Sequence, residues 1–227
     1  AWKKNSWATE STLTGGLEKG GLPGICFMRD ATVRAKQFSN HIDTLLGRDL
    51  QLIIHTRQSL SALRELLSRI CAAQGDPVNY AALARTIGTS IPTTQKLLAA
   101  FEGLFLIRRL GDTYYAEDQG LATAAAQFHR AEARLDTRRA LYAEIRSQLG
   151  YFHGQEALLT HHRTKAGSEI PFLIKMKTGL HIAIAAAPED RVSEKNLKAL
   201  GWYKKQHTST LMLAFHRGAE AYVASNG

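Results

Sequence analysis

The stretch Asn79–Asp118, NYAALARTIGTSIPTTQKLLAAFEGLFLIRRLGDTYYAED, decides the reading of this chain. Asn79 is placed to N-cap a helix, its side chain accepting from the free N–H groups of the first turn. Leu83 and Ile87 lie four apart on one face of that helix, and Gly88 stands where a helix closes in a left-handed residue. Ser90 is placed to cap a second helix, with Pro92 in its first turn, where a missing N–H costs nothing. Leu97, Leu98, Phe101 and Leu104 make its apolar face. Phe105-Leu106-Ile107 then starts a strand, Gly111-Asp112 turns it, and Thr113–Ala116 returns. Helix, turn, helix and β-hairpin predict a winged helix within 58–120.

Upstream, residues 1–57 read as a Gly-rich start and a helical arm. TGGLEKGGLPG has the look of a phosphate loop, but it lacks GK[ST] and no apolar strand precedes it, so a turn is expected. Val33, Phe38, Ile42, Leu45, Leu46, Leu50 and Ile53 recur at helical spacing across 31–54. Ser59 or Ser61 can start a further helix to Ala73, with Leu60, Leu63, Leu66, Leu67 and Ile70 on its buried stripe, ended by Gly75-Asp76-Pro77.

Downstream, 121–150 is rich in Ala, Arg, Glu and Gln and predicts one or two exposed helices. Arg130, Arg134 and Arg138 are spaced by four and share a face, expected to be solvated. Strands are then expected at Ala157–Arg163, Glu169–Met176 and Leu180–Ala187. A helix follows from a Ser193 cap to Gln206, with Leu197, Leu200 and Trp202 or Tyr203 inward. The last strand, Thr210–Phe215, is apolar throughout and reads as central. The fold class is mixed α and β: the arm and winged helix, then an α/β unit with a mixed sheet over 121–227.

The 227 residues suffice for two domains. No apolar run reaches the ~18 residues of a membrane span, and AWKKNSW lacks the apolar core of a signal peptide. The absence of an initiator Met fits a fragment or a processed product. Cys26 and Cys71 stand alone, with no CxxC pair, which argues against zinc and for a reducing, cytoplasmic setting. The net charge is +9. Residues 1–57 carry +3, 58–120 carry 0 and 121–227 carry +6. The winged-helix segment is therefore neutral, and Lys96 is the basic residue of its second helix, beside Thr93 and Gln95.

Four stretches in this order carry a resemblance: GGLPGICFMRDATVRAKQFSNHIDTLLGRDL, PVNYAALARTIGTSIPTTQKLLAAFEGLFLIRRL, TYYAEDQGLA and HHRTKAGSEIPFLI. From about residue 15 to 217 the chain resembles the C-terminal region of a large prokaryotic family of predicted AAA+-like P-loop ATPases. That resemblance implies a winged helix followed by a domain similar to PD-(D/E)xK nucleases. No Walker A or Walker B pattern occurs here, so the motor itself is outside the chain, and no cofactor is expected in it. Nucleases of that type need an Asp on one strand and Glu-x-Lys on the next, to hold Mg²⁺ and orient water. The resemblance puts Pro171 at the Asp position, Ala185 at the Glu position and Ala187 at the Lys position. Glu169 is a remnant carboxylate; Glu189 and Asp190 could supply ligands only under a shifted register. His161 and His162 are adjacent on a strand, point to opposite faces and do not readily share one ion.

The expected role is non-catalytic: a DNA-associating or substrate-recognising module beside an ATPase. Lys195, Lys198, Lys204 and Lys205 would form the phosphate-facing cluster, and Thr93, Gln95 and Lys96 the outward face of the second helix. Two rivals remain, a protein-docking module and a metal-dependent nuclease with a rebuilt site.

Overall fold

The computed structural model describes residues 19–128, 137–152, 156–164, 167–187, 192 and 194–216, apart from the side chains of 137, 195 and 196. The chain divides into two compact units, Ala1–Arg109 with Tyr114–Leu135, and Leu110–Thr113 with Asp136–Gly227. Among the described residues no helix is long and apolar enough to cross a membrane.

The first unit opens with α1 (Ala31–Thr44), capped by Asp30, whose carboxylate accepts from the N–H groups of Thr32 and Val33. It continues through a π-helical turn at Leu45–Asp49 into the short α2 (Leu50–Ile53). Phe38, Ile42, Leu46 and Leu50 carry its buried stripe, while Val33 and Ile53, on the same predicted stripe, are exposed. Helix α3 (Leu60–Ala72) is capped by Ser59, α4 (Tyr80–Thr86) by Asn79 and α5 (Ile91–Gly103) by Ser90, each side chain accepting from an N–H three residues on. Gly88 has φ +64° between α4 and α5, and Gly111 has φ +65° between β1 (Ile107–Leu110) and β2 (Thr113–Ala116).

One core joins α1, α2, α3, α5, the hairpin strands and α6 (Gln119–Gln127). The arm and the helix pair, read from sequence as separate segments, thus share a single interior. Helix α6 also differs from expectation: Leu121, Ala122, Ala124, Ala125 and Ala126 are buried rather than solvated. Small side chains permit this close packing, and a Cβ on Gly120 would meet the Phe38 ring at 2.5 Å.

The second unit is built from α7 (Thr137–Phe152), β3 (Ala157–Arg163), β4 (Glu169–Met176), β5 (His181–Ala186), α8 (Glu194–Gln206) and β6 (Thr210–Phe215). The sheet order is β3-β4-β5-β6; β4 is antiparallel to both neighbours and β6 runs parallel to β5. Strand β6 therefore lies at the end of the order rather than centrally. Its residues alternate, with Leu211, Leu213 and Phe215 exposed and Met212 and Ala214 packed on the core. An apolar run without polar alternation misled here, because its outward half is apolar too.

Strand β4 is buried from Ile170 through Ile174. Between the pairs Thr160↔Leu173 and His162↔Ile170 it contributes one residue more than β3. Pro171 falls in this bulge, where a missing N–H is tolerated. The extra residue swaps the faces: Ile170 and Leu173 share one core with Ala199, Leu200 and Tyr203 of α8. Phe172 instead lies 6.5 Å, centroid to centroid, from Tyr142 of α7. On α8 the inward residues are Ala199, Leu200 and Tyr203; of the alternatives Trp202 and Tyr203 it is Tyr203 that is buried, while Leu197, expected inward, is 38% exposed.

The predicted strand start at Phe105 is also corrected. Phe105 N–H donates to the Glu102 carbonyl (3.1 Å) and Leu106 N–H to the Phe101 carbonyl (3.0 Å), which closes α5 in a Schellman motif. Phe105 then occupies the left-handed position usually held by glycine, with φ +57°, and its ring is 71% exposed. The left-handed conformation costs a non-glycine residue roughly 1–2 kcal/mol, and an exposed ring recovers little of it. Phe105→Gly is therefore expected to raise the unfolding free energy of this unit by about 1 kcal/mol in urea denaturation. A loss of stability would show that the ring makes a compensating contact.

Candidate functional site

The β3–β4 hairpin places Arg163 directly opposite Glu169. Its turn is closed by Thr164 N–H donating to the Ser168 carbonyl (2.9 Å) and Gly167 N–H to the Thr164 carbonyl (3.0 Å). Arg163 Nη2 reaches Glu169 Oε2 at 2.5 Å, and Arg138 Nη2, from the first turn of α7, reaches Oε1 at 2.6 Å. His161, two residues before Arg163 on the same face, has a side chain only 3% exposed. Its Nε2 stands 3.7 Å from Glu169 Oε2 and its Nδ1 3.2 Å from Asp112 Oδ1 in the hairpin turn. At 3.7 Å the imidazole acts by charge and orientation, while the two guanidiniums make the short bonds.

The electrostatic result is one-sided. The His161 imidazole, together with Arg138 and Arg163, holds the Glu169 carboxyl down at about 2, against the opposing effect of burial. Glu169 is thus an ionised, doubly bonded acceptor facing cations. A divalent metal would have to displace guanidinium groups to reach it, and its own charge would be repelled by them. Among the described residues no group of three or more His, Cys, Asp or Glu is placed to hold a metal ion.

Of the positions singled out from sequence, Ala185 packs on the opposite face of the sheet from this carboxylate, in the core shared with α8. Antiparallel pairing sets Phe172 opposite Ile184, so the start of β4 lies beside the end of β5. Pro171 sits in the bulge, and Ala185 and Ala187 are buried (2% and 0% exposed), with Ala187 N–H bonded to the Phe215 carbonyl. Glu189 and Asp190 lie outside the described residues, as do Arg130 and Arg134. Arg138, expected on a solvated face, is instead tied to Glu169. No local pattern pointed to that pairing, because Arg138 and Glu169 are distant in the chain and meet only in the folded unit.

The basic candidates are dispersed differently. The Lys195 side chain is outside the description. Lys198 and Lys205 are exposed and Lys204 is half-buried along α8. Lys198 pairs with Glu194 one turn earlier at 3.2 Å, both side chains mostly in solvent. On α5, Gln95 and Lys96 are exposed, but Thr93 is half-buried and its hydroxyl shares a 2.9 Å hydrogen bond with Ser90. Thr93 is part of the helix cap, not of an outward reading face.

Sequence reasoning missed a second cluster, on the opposite face of the sheet. The Tyr203 hydroxyl of α8 and His181 Nδ1 share a hydrogen bond (3.0 Å). His162 stacks on Trp202 (5.7 Å) and meets Tyr203 edge-on (5.2 Å), and His207 packs on Tyr203 (4.4 Å). Tyr203 and His207, four apart along the chain, were the available signal. In the first unit, a cleft of about 200 Å³ lies between α3 and α4, lined by Arg69, Ile70, Pro77, Leu83 and Tyr114. That is smaller than the ~300 Å³ at which ligand pockets usually begin.

Residues 12–120 match a family described as a domain of unknown function, DUF8612. No curated protein and no solved structure matches the chain.

The paired carboxylate makes a testable contribution to stability. Its folded pKa lies below the unfolded value, so its stabilisation is present above about pH 4.5 and is lost as pH falls toward about 2. Glu169→Gln is expected to cost about 2 kcal/mol at neutral pH and to flatten the stability profile across that interval. Denaturation curves collected across the interval check this; identical acid profiles for both proteins would refute it.

Proposed function

We propose that this chain is a non-catalytic recognition module, in which a winged-helix unit and a nuclease-like unit lacking a metal centre associate with DNA. The observation that carries the reading is the environment of Glu169. Where a nuclease of the resembled type would gather carboxylates around Mg²⁺, this unit has Arg138 and Arg163 on one carboxylate. Pro171, Ala185 and Ala187 occupy the remaining catalytic positions, and none carries a group that ligates a metal or activates water. The order helix, antiparallel three-strand meander, helix and parallel strand supports a nuclease-like ancestry. Helix pair and hairpin support the winged-helix reading. The resemblance to the region that follows a P-loop motor makes an ATPase domain a natural partner.

DNA association rests on charge placement. Residues 121–227 carry +6, and exposed lysines of α8 contribute to it. A surface pair such as Lys198–Glu194 is worth little, so phosphate can take the lysine at small cost. Binding carried this way is weak and sequence-tolerant, because phosphate contacts do not read bases.

One observation favours a second reading, docking to another protein. The outward residues of α5 include Ile91, Pro92, Gln95 and Ala99, with Lys96 the charge among them, and exposed Phe105 follows the helix. A face so poor in charge suits an apolar partner better than a phosphate backbone.

Incubation with plasmid and single-stranded DNA in Mg²⁺ or Mn²⁺ is expected to give no cleavage; cleavage abolished by Glu169→Ala would establish a rebuilt nuclease site. DNA affinity is expected to fall linearly on a log–log salt plot, by roughly 0.9 per contacted phosphate. Replacing Lys198, Lys204 and Lys205 by Ala should lower affinity and flatten that slope. Gln95→Ala should change little, and a sharp loss of sequence-specific binding from it would mean that α5 reads bases. No binding at ~50 mM salt would transfer the assignment to protein docking.

A further inference from the structure

Three elements of the sheet unit converge on Tyr203. From α8 come Tyr203 itself and Trp202; from β3 comes His162; from β5 comes His181; and His207 follows the end of α8. Strand β4 adds Lys175, the cross-strand partner of His181. His181 and His207 are 5.0 Å apart and both touch Tyr203. His161 stands behind the strand on the other face, and Met212 and Ala214 of β6 supply apolar contact only. Among the described residues, the charges that act on His162 and His181 come from the basic side chains of His161, Lys175 and His207, beside the Tyr203 phenol.

We propose that His162 and His181, packed around Tyr203 beside His207, form an acid-sensitive latch that holds α8 on the sheet when neutral and loosens it when protonated. This goes beyond the recognition role and does not depend on which partner is bound.

The geometry supplies the mechanism. The Tyr203 hydroxyl and His181 Nδ1 share a 3.0 Å hydrogen bond. Protonating the His181 ring sets a cation beside His207 and Lys175. His162 Nε2 is buried with no hydrogen-bond partner among the described residues, so a charge on that ring is poorly solvated. Burial, then the neighbouring His161, Lys175 and His207, push His162 below the ordinary histidine value; burial, His207 and Lys175 do the same to His181. The unfolded chain therefore binds more protons than the folded one below about pH 6.5. Stability is fully present above that pH and falls beneath it. Ala199, Leu200 and Tyr203 form α8's part of the buried core, so a weakened Tyr203 leaves a short apolar contact to hold the helix.

The test is hydrogen exchange of the full chain read by mass spectrometry between about pH 7.5 and about pH 5, corrected for intrinsic exchange. Amides of Leu197–Gln206 are expected to lose protection several-fold over that range, while those of α5, which contains no histidine, keep theirs. The double variant His162→Gln, His181→Gln is expected to abolish the response of α8. Protection of wild-type α8 that does not change with pH overturns the proposal, and so does an equal loss in α5. NMR titration of the wild-type imidazoles needs no variant. Midpoints for His162 and His181 below about 6.5 support the latch, and midpoints at or above it overturn it.

Discussion

The single extra residue in β4 organises the sheet unit. A strand buried on both faces has no tolerance for a slip of register, since each residue must meet the face that suits it. The bulge at Pro171 resets that assignment within the strand. Before it, Glu169 faces Arg163 and α7; after it, Leu173 faces α8 with Ile170. Without the bulge, either the carboxylate would turn into the apolar core of α8 or Leu173 would turn out of it. Proline suits the position because a bulge leaves a residue without a ladder hydrogen bond. A residue that removes the catalytic Asp of the resembled nucleases thus has a structural use of its own.

Two chemistries are separated by that sheet. On the α7 face, a carboxylate is overcompensated by cations and fixed in the ionised state. On the α8 face, three imidazoles and a lysine gather without a facing carboxylate among the described residues. The first arrangement is stable over the whole neutral range and gives rigidity. The second sits close to its own titration range. Adjacent His161 and His162 illustrate the division: strand alternation sends one to the ionised cluster and the other to the neutral one.

Local chemistry was legible in the sequence, and long-range partnership was not. Asn79 and Ser90 cap helices as their side chains require, and the three strand ranges at 157–163, 169–176 and 181–186 follow the alternation and turn residues closely. Ser59 caps α3 in the same way. What failed depended on tertiary packing. An Ala-rich helix reads as surface until Gly120 and its neighbours are seen against Phe38. Arg138 reads as solvated until Glu169 arrives from the sheet. Phe105 reads as a strand start, because no propensity rule places a phenylalanine in a left-handed cap. Of the candidate site, Glu169 was singled out from the sequence, whereas its pairing with Arg138 and Arg163 was not.

The same distinction governs what the excess positive charge can do. Net charge counts every arginine, but many guanidiniums here are already engaged: Arg64 with Asp43, Arg69 with Glu65, Arg108 with Glu117, and Arg138 and Arg163 with Glu169. A guanidinium locked to a carboxylate releases no counterion to a phosphate unless the internal pair is broken, and a partly buried pair is costly to break. Lys198 and Lys205 of α8 are in a different position, exposed to solvent, with a weak surface partner at Lys198. A guanidinium–carboxylate pair adds nothing to the net charge of +9, so the excess open to a phosphate lies on other cations, among them the exposed lysines of α8, point charges without the planar fork that reads a guanine edge. Charge of this kind gives contact without sequence preference. It also lies on the helix that the histidine cluster holds to the sheet, so whatever loosens that helix also moves the charge.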